Sequence, residues 1–341
     1  VMAGSESIKQ GCSAGICNSC CTSCLSFMMA PPGNLPDPKR SAGPGPCPRP
    51  PWSGHVADLD ETAFNKLDWS ESDLVDFSKI FKTNHKRQTQ VNRYPDIVPK
   101  RHSAVRLSLI DGRRESGYIN ASFIQGVEER STGAYIAAQG PTEASTNSFW
   151  QMVWENGCTI IVMLTDLEEG GSEKCHQYWP ERRNSKKRPA SEMEEHQYGP
   201  LTVTNVSEEE RKGGFRLSVL RLQRAFSRDG CHLDVHHYWF RSWKDNTAPG
   251  ETKSCELLLR EVQEQGGLPQ SGPWVVHCSA GVGRTGCFLA IDHGSRLLKV
   301  SQKVDVLDII AKLRKDRAGL VQTPKQARFA RDVLAALEAG T

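Results

Sequence analysis

Residues 273–291, PWVVHCSAGVGRTGCFLAI, place a thiol, two loop glycines and an arginine between two apolar runs. PWVVH is short and β-branched, the pattern of a strand covered on both faces. A helix is predicted to begin near Arg284 and Thr285. A turn that joins a strand to a helix aims several backbone N–H groups and the positive end of the helix dipole at one point, which makes it an anion site. Gly281 and Gly283 let the loop curl, so that the amides of Ser279, Ala280, Gly281, Val282 and Gly283 converge. Arg284 closes the ring with a planar fork matched to two phosphate oxygens.

Cys278 stands at the centre of that ring. The groups that would hold a dianion also favour the ionised thiol, and the thiolate is the nucleophile. An ordinary cysteine has a pKa of about 8.5, whereas helix N-termini and neighbouring positive charge bring it to roughly 3.5 to 7.5. The Thr285 hydroxyl is placed to donate to the sulfur and make it a better leaving group. The competing reading is an inert buried cysteine, since free cysteine is commonly buried. The spacing H-C-x5-R-T directly between a strand and a helix argues against it.

The elements that must hold this loop can be read outward from it. TIIVML (159–164) predicts a second buried strand, and NSFWQMVWE (147–155) and VDVLDIIAKLRKDR (304–317) carry apolar residues at helical spacing. A final helix is predicted from Pro324, with Thr323 as its cap and Gly340 at its end. Helices and strands interleave, which gives an α/β architecture. Helices are also predicted within 60–90, with Ser70 or Ser72 capping the second. ERRNSKKRPASEMEEHQ, before Tyr198, carries five basic residues from Arg182 to Arg188 and reads as a solvated loop, with a nuclear address or docking patch as the alternative. Residues 1–55, rich first in cysteine and then in Pro and Gly, are expected to be a disordered tail, and 56–341 one folded domain.

The chain has 43 basic and 40 acidic residues, so no strong field points to nucleic acid as a partner. No apolar run reaches the roughly 18 residues needed to cross a bilayer, and the basic-then-apolar order of a signal peptide is missing. The chain reads as soluble and intracellular; it begins at Val1, which leaves upstream sequence open. Of the 12 cysteines, seven are scattered from Cys47 to Cys287 and read as reduced thiols. The other five, Cys12, Cys17, Cys20, Cys21 and Cys24, leave three readings open: a metal site, palmitoylation or low-complexity tail.

The loop at Cys278 resembles the signature loop of the protein tyrosine phosphatases, and further motifs follow in order over roughly 250 residues. VNRYPDIVP resembles the family's recognition loop, in which Tyr94 would wall the phosphotyrosine ring and Asp96 would grip the substrate's backbone. GYINASFI and YIAAQGP resemble its core segments. EKCHQYWP resembles a loop whose Lys174 would contact the general-acid loop. QTPKQ resembles the glutamine loop, in which Gln322 would position water and Gln326 would help line the site. HHYWFRSWKDNTAP is similar to the mobile loop that supplies a general acid, here Asp245. The resemblance implies a single domain with a highly twisted mixed sheet flanked by helices. It also implies a phosphotyrosine hydrolase working through a phosphocysteine intermediate, with no cofactor or metal.

Lys244 departs from the proline usual in that mobile loop, and Arg101, Val91 and Ala327 depart elsewhere without touching the nucleophile. A slower enzyme is expected, with a catalytically weak phosphotyrosine-binding module as the alternative. A dual-specificity or lipid phosphatase is a third reading, against which Tyr94 argues. VDVLDIIAKLRKDRAGLVQT and ELLLREVQEQ look most like the MAP-kinase-directed subgroup. The expected partners are therefore phosphotyrosine proteins such as a MAP kinase, in a cytoplasmic signalling setting, with nuclear or lipid-anchored location left open.

Overall fold

The computed structural model describes residues 56–76, 80, 90–110, 112, 114–127, 134–181, 194–225, 230–241, 243, 252–266, 272–300 and 303–340. All lie within the unit Pro50–Thr341. The N-terminal cysteine cluster, the Pro/Gly-rich stretch, the basic residues Arg182–Arg188, Lys244 and Asp245 fall outside the described residues.

In chain order the strands are β1 (Ala104–Arg106), β2 (Tyr118–Ile124), β3 (Tyr135–Ala138), β4 (Ile160–Met163), β5 (Glu168–Glu169), β6 (Ser172–Glu173), β7 (Glu195–Tyr198), β8 (Leu201–Arg211), β9 (Phe215–Arg224), β10 (His232–Trp239) and β11 (Trp274–His277). Among the described residues the helices of more than one turn include α1 (Glu61–Lys66), α2 (Thr146–Glu155), α3 (Thr252–Gly266), α4 (Gly283–Lys299), α5 (Val306–Asp316) and α6 (Pro324–Ala339). Nine strands form one large twisted mixed sheet in the order β1-β2-β3-β11-β4-β10-β9-β8-β7. β11 runs parallel to both β3 and β4, and β10 runs parallel to β4; the outer pairs are antiparallel.

Side chains alternate across a strand, so the central strands feed two cores. Ile160, Val162, Trp274 and Val276 join the cluster that takes in α3, α4, α5 and α6. Ile161, Met163 and Val275 join Phe149, Trp150 and Val153 of α2 on the opposite face. Burial on both faces explains why β4 is apolar at every position and β11 at every position but its last, His277. The predicted ends of α6 are as expected: Thr323 accepts from the Gln326 amide, Pro324 opens the helix and Gly340 closes it. Among the described residues no helix is long and apolar enough to cross a membrane.

Two expectations need correcting. No second helix starts at Ser70 or Ser72: α1 is capped by Asp60, and after it Ser70 and Asp73 take positive φ of 59° and 60°. The Asp68 carboxylate accepts from the Ser70 amide at 2.8 Å, an Asx turn that competes with helix, and Leu74 then bridges Lys100. Likewise the stretch ending at Tyr198 is not loop throughout, because Glu195–Tyr198 forms the edge strand beside β8.

Candidate active site

β11 lies among parallel neighbours, and the crevice beyond the carboxyl ends of such strands is where α/β sheets bind ligands. Cys278 is the first residue past that end, 3% exposed, and α4 begins at Gly283. Between them every carbonyl is taken up from outside the loop. The Cys278 carbonyl faces His277 Nδ1 at 3.2 Å, and that of Ser279 accepts from the Gly140 amide at 2.9 Å. Ala280 and Gly281 both accept from Arg317, at 3.2 and 2.9 Å. Val282 accepts from the amides of Gly286 and Val321 at 2.9 and 3.0 Å.

A trans peptide points its N–H opposite its C=O. Five outward carbonyls therefore turn the amides of Ser279, Ala280, Gly281, Val282 and Gly283 to the inner side. Among the described residues, none of those five amides donates to a protein acceptor outside its own helix. Gly281 takes φ +71°, and a Cβ there would collide with the Ala138 carbonyl, so only glycine completes this turn.

Arg317, which fixes two of the five carbonyls, was not singled out in the sequence. Its guanidinium is fully buried and also donates to Asn120 Oδ1 at 2.9 Å and Ser122 Oγ at 3.3 Å. Burial lowers its pKa to about 10, which leaves it charged at neutral pH. In sequence it was only an arginine at the end of a predicted helix, where a cation complements the dipole without needing another role.

Arg284 is also buried, and its Nη1 donates to Glu169 Oε1 and to the Trp243 carbonyl, both at 2.6 Å. Burial raises the Glu169 pKa, but the hydrogen bond and charge of Arg284 outweigh it and hold the carboxyl below its ordinary value. Glu169, in the short β5–β6 hairpin, had no motif to mark it. Trp243 is buried and packs edge-on against Phe329, 5.3 Å between ring centres. It thereby anchors the chain two residues before Asp245. Thr285 Oγ1 is buried with no hydrogen bond among the described residues.

Beneath the loop, Tyr178 Oη lies 2.7 Å from His277 Nε2 and 2.8 Å from His237 Nε2. Burial keeps both rings neutral, lowering His277 to about 4 and His237 to about 3. A neutral His277 that donates from Nδ1 to the Cys278 carbonyl must accept at Nε2, so Tyr178 donates to it. His237 then donates to Tyr178, in keeping with the partnerless buried Nδ1 of His237. The proton order is thus fixed from His237 to the cysteine's own carbonyl.

The other predicted residues arrive from three directions. Tyr94 Oη meets Ser279 Oγ at 3.0 Å, which brings the recognition loop onto the cradle; Asp96 is exposed on the turn that follows. Arg93 holds that loop by donating to the carbonyls of Gly140, Pro141 and Glu173 and to the Glu173 carboxylate. Lys174 is half-buried next to it. Gln322 Oε1 lies 2.6 Å from where a Cβ on Gly283 would stand, over the mouth of α4. Gln326 is buried and its Oε1 accepts from the Gln322 and Thr323 amides, so this side chain serves first as the cap of α6.

The chain matches the family model described as protein-tyrosine phosphatase over residues 88–336. It is 39% identical over 252 residues to tyrosine-protein phosphatase non-receptor type 5 of Rattus norvegicus, covering 72% of this chain and 63% of that protein. Against non-receptor type 7 of Mus musculus it is 37% identical over 244 residues, with the same coverages. Receptor-type tyrosine-protein phosphatase R of Homo sapiens is 38% identical over 252 residues, 72% of this chain and 35% of that protein. The chain thus spans under two thirds of the length of these relatives. With the cradle around Cys278 and this similarity running through all the elements that build it, the chain belongs to the protein-tyrosine phosphatase family.

Proposed function

We propose that the protein hydrolyses phosphotyrosine in other proteins in two steps through a phosphocysteine. The observation that carries this is the ring of five outward carbonyls, which leaves five inward amides on the loop that follows Cys278, with Arg284 in the first turn of the helix that closes it. In the first step the Cys278 thiolate attacks phosphorus, the phosphoryl dianion rests on those amides and Arg284, and Asp245 protonates the departing tyrosine oxygen. In the second, water positioned by Gln322 gives its proton to Asp245 and attacks phosphorus while the sulfur leaves, helped by the Thr285 hydroxyl. Tyr94 lines the depth of the pocket and Asp96 holds the substrate backbone. Lys174 steadies the general-acid loop, and Gln326 supports Gln322.

The likeness to these tyrosine-protein phosphatases supports a tyrosine-phosphorylated protein as the substrate, and the resemblance of residues 256–265 and 304–323 to the MAP-kinase-directed subgroup favours a MAP kinase in a cytoplasmic setting. Lys244 in the general-acid loop keeps a second reading in view, a binding module that captures phosphotyrosine and rarely turns over. Phosphate release from phosphotyrosine and phosphothreonine peptides separates them. The expected result is release from phosphotyrosine only, none with Cys278→Ser, and a loss of about 10² to 10⁴ with Asp245→Ala. A wild-type protein that shields phosphotyrosine without releasing phosphate would contradict the proposal.

A further inference from the structure

The family similarity begins at residue 88, yet Val56–Val75 is folded onto the domain and reaches Gly319, three residues before the glutamine loop. Val56 bridges Val304, the Ala57 amide donates to the Val304 carbonyl at 2.9 Å, and Asp58 and Glu61 pair with Arg331 and Arg328 of α6. Phe64 of α1 and Trp69 beyond it flank a single guanidinium, that of Arg314 in α5, with ring centres 5.3 and 4.7 Å from it.

Arg314 is a two-sided clamp. Toward the N-terminal segment it donates to the carbonyls of Leu67 and Asp68, both at 3.3 Å. Toward the glutamine loop it donates to those of Leu320 and Val321, at 3.0 and 2.8 Å. The Gly319 amide adds a direct bond to the Trp69 carbonyl at 3.1 Å. All of this converges on a strained residue: Val321 has φ +61°, a conformation that a β-branched side chain resists and keeps only where its surroundings impose it. Its amide is tied to Val282 of the cradle and its carbonyl to Arg314. The next residue is Gln322.

We propose that Trp69 and Arg314 are positioning residues through which the N-terminal segment holds the Val321 turn and so sets where Gln322 places the attacking water. This rests on the phosphocysteine reading above. The step concerned breaks the sulfur–phosphorus bond and forms an oxygen–phosphorus bond to water, whose proton passes to Asp245. An added alcohol can take the place of water and gives an alkyl phosphate in its stead. Loosening Gln322 should favour the alcohol, because the bound water loses its fixed place; a merely structural defect would leave the partition unchanged.

The test is para-nitrophenyl phosphate turnover by the full chain in aqueous glycerol, reading the nitrophenol burst, steady-state rate and ratio of glycerol phosphate to inorganic phosphate. Trp69 is 43% exposed, so Trp69→Ala should keep the fold, which a melting curve verifies. Its burst rate should match the wild type while the product ratio rises about fivefold, toward that of Gln322→Ala. Trp69→Phe, which keeps a ring over Arg314, should restore the wild-type ratio. Phe64→Leu, which keeps apolar bulk but removes the other ring, should shift the ratio in the same direction as Trp69→Ala. Wild-type ratios in both Trp69→Ala and Phe64→Leu overturn the proposal while leaving the burst, and with it the phosphocysteine, in place. A wild type with no burst removes the underlying reading and this proposal with it.

Discussion

Acidification from pH 8 to pH 5 should strain the protein through its buried imidazoles. Burial lowers His277 and His293 to about 4 and His237 to about 3, against 6.5 for the exposed side chain. The unfolded chain therefore binds protons that the folded one refuses, and stability present above pH 6.5 is lost as the pH falls below it. At pH 5 each of these histidines is almost fully protonated when unfolded and almost fully neutral when folded, a difference of about 2 kcal/mol apiece. Three such groups sum to about 6 kcal/mol, comparable with the 5 to 15 kcal/mol that holds a typical domain. The carboxyls of Glu169 and Asp234, held low by Arg284 and Arg221 against the opposing effect of burial, lose their contribution only at lower pH. Burial raises Asp316, which acts in the opposite direction and offsets part of the loss. Urea unfolding followed by tryptophan fluorescence at pH 8, 7, 6 and 5 should show the midpoint falling steeply below pH 6.5. A midpoint unchanged between pH 7 and pH 5 would refute the neutral relay from His237 through Tyr178 to His277.

Glu169→Gln keeps the shape of the Arg284 clamp but removes its charge; a charge-assisted bond is worth about 1.5 to 3 kcal/mol, so KM for a phosphotyrosine peptide should rise by about tenfold or more. Steady-state kinetics on that peptide check it, and an unchanged KM would mean that the clamp does not orient the arginine. Lys244→Pro should raise turnover on an aryl phosphate, because proline restricts itself and the preceding residue and so favours one loop conformation. If turnover stays at the wild-type value, Lys244 is not what slows closure.

What the sequence made legible was short-range. PWVVH and TIIVML announce buried strands by their short β-branched apolar runs, and Thr323, Pro324 and Gly340 mark both ends of α6 because capping chemistry is local. The cradle itself could be read because glycine spacing, a thiol and an arginine share one short run. What stayed hidden depends on distant partners. Arg317 reaches Gly281 across 36 positions and Arg284 reaches Glu169 across 115, and no periodicity records such a pairing. The β8–β9 hairpin passed unread because SEEERKGGFR is charged around its turn, and its inward residues Val203, Leu220 and Leu222 show their alternation only once paired. The cap expected at Ser70 or Ser72 failed for the converse reason: Asp68 satisfies the Ser70 amide locally and turns the chain toward Lys100.

Alkylation of Cys278 by iodoacetamide, followed peptide by peptide in the folded protein, tests the chemistry most directly. Burial holds Cys175 and Cys255 as neutral thiols, so they should stay unmodified. If five inward amides and Arg284 form an anion site around the activated sulfur of Cys278, this cysteine should be alkylated ahead of the other two, and inorganic phosphate bound in the cradle should protect it. Labelling of Cys175 or Cys255 ahead of Cys278, or a Cys278 rate that phosphate leaves unchanged, would contradict the account.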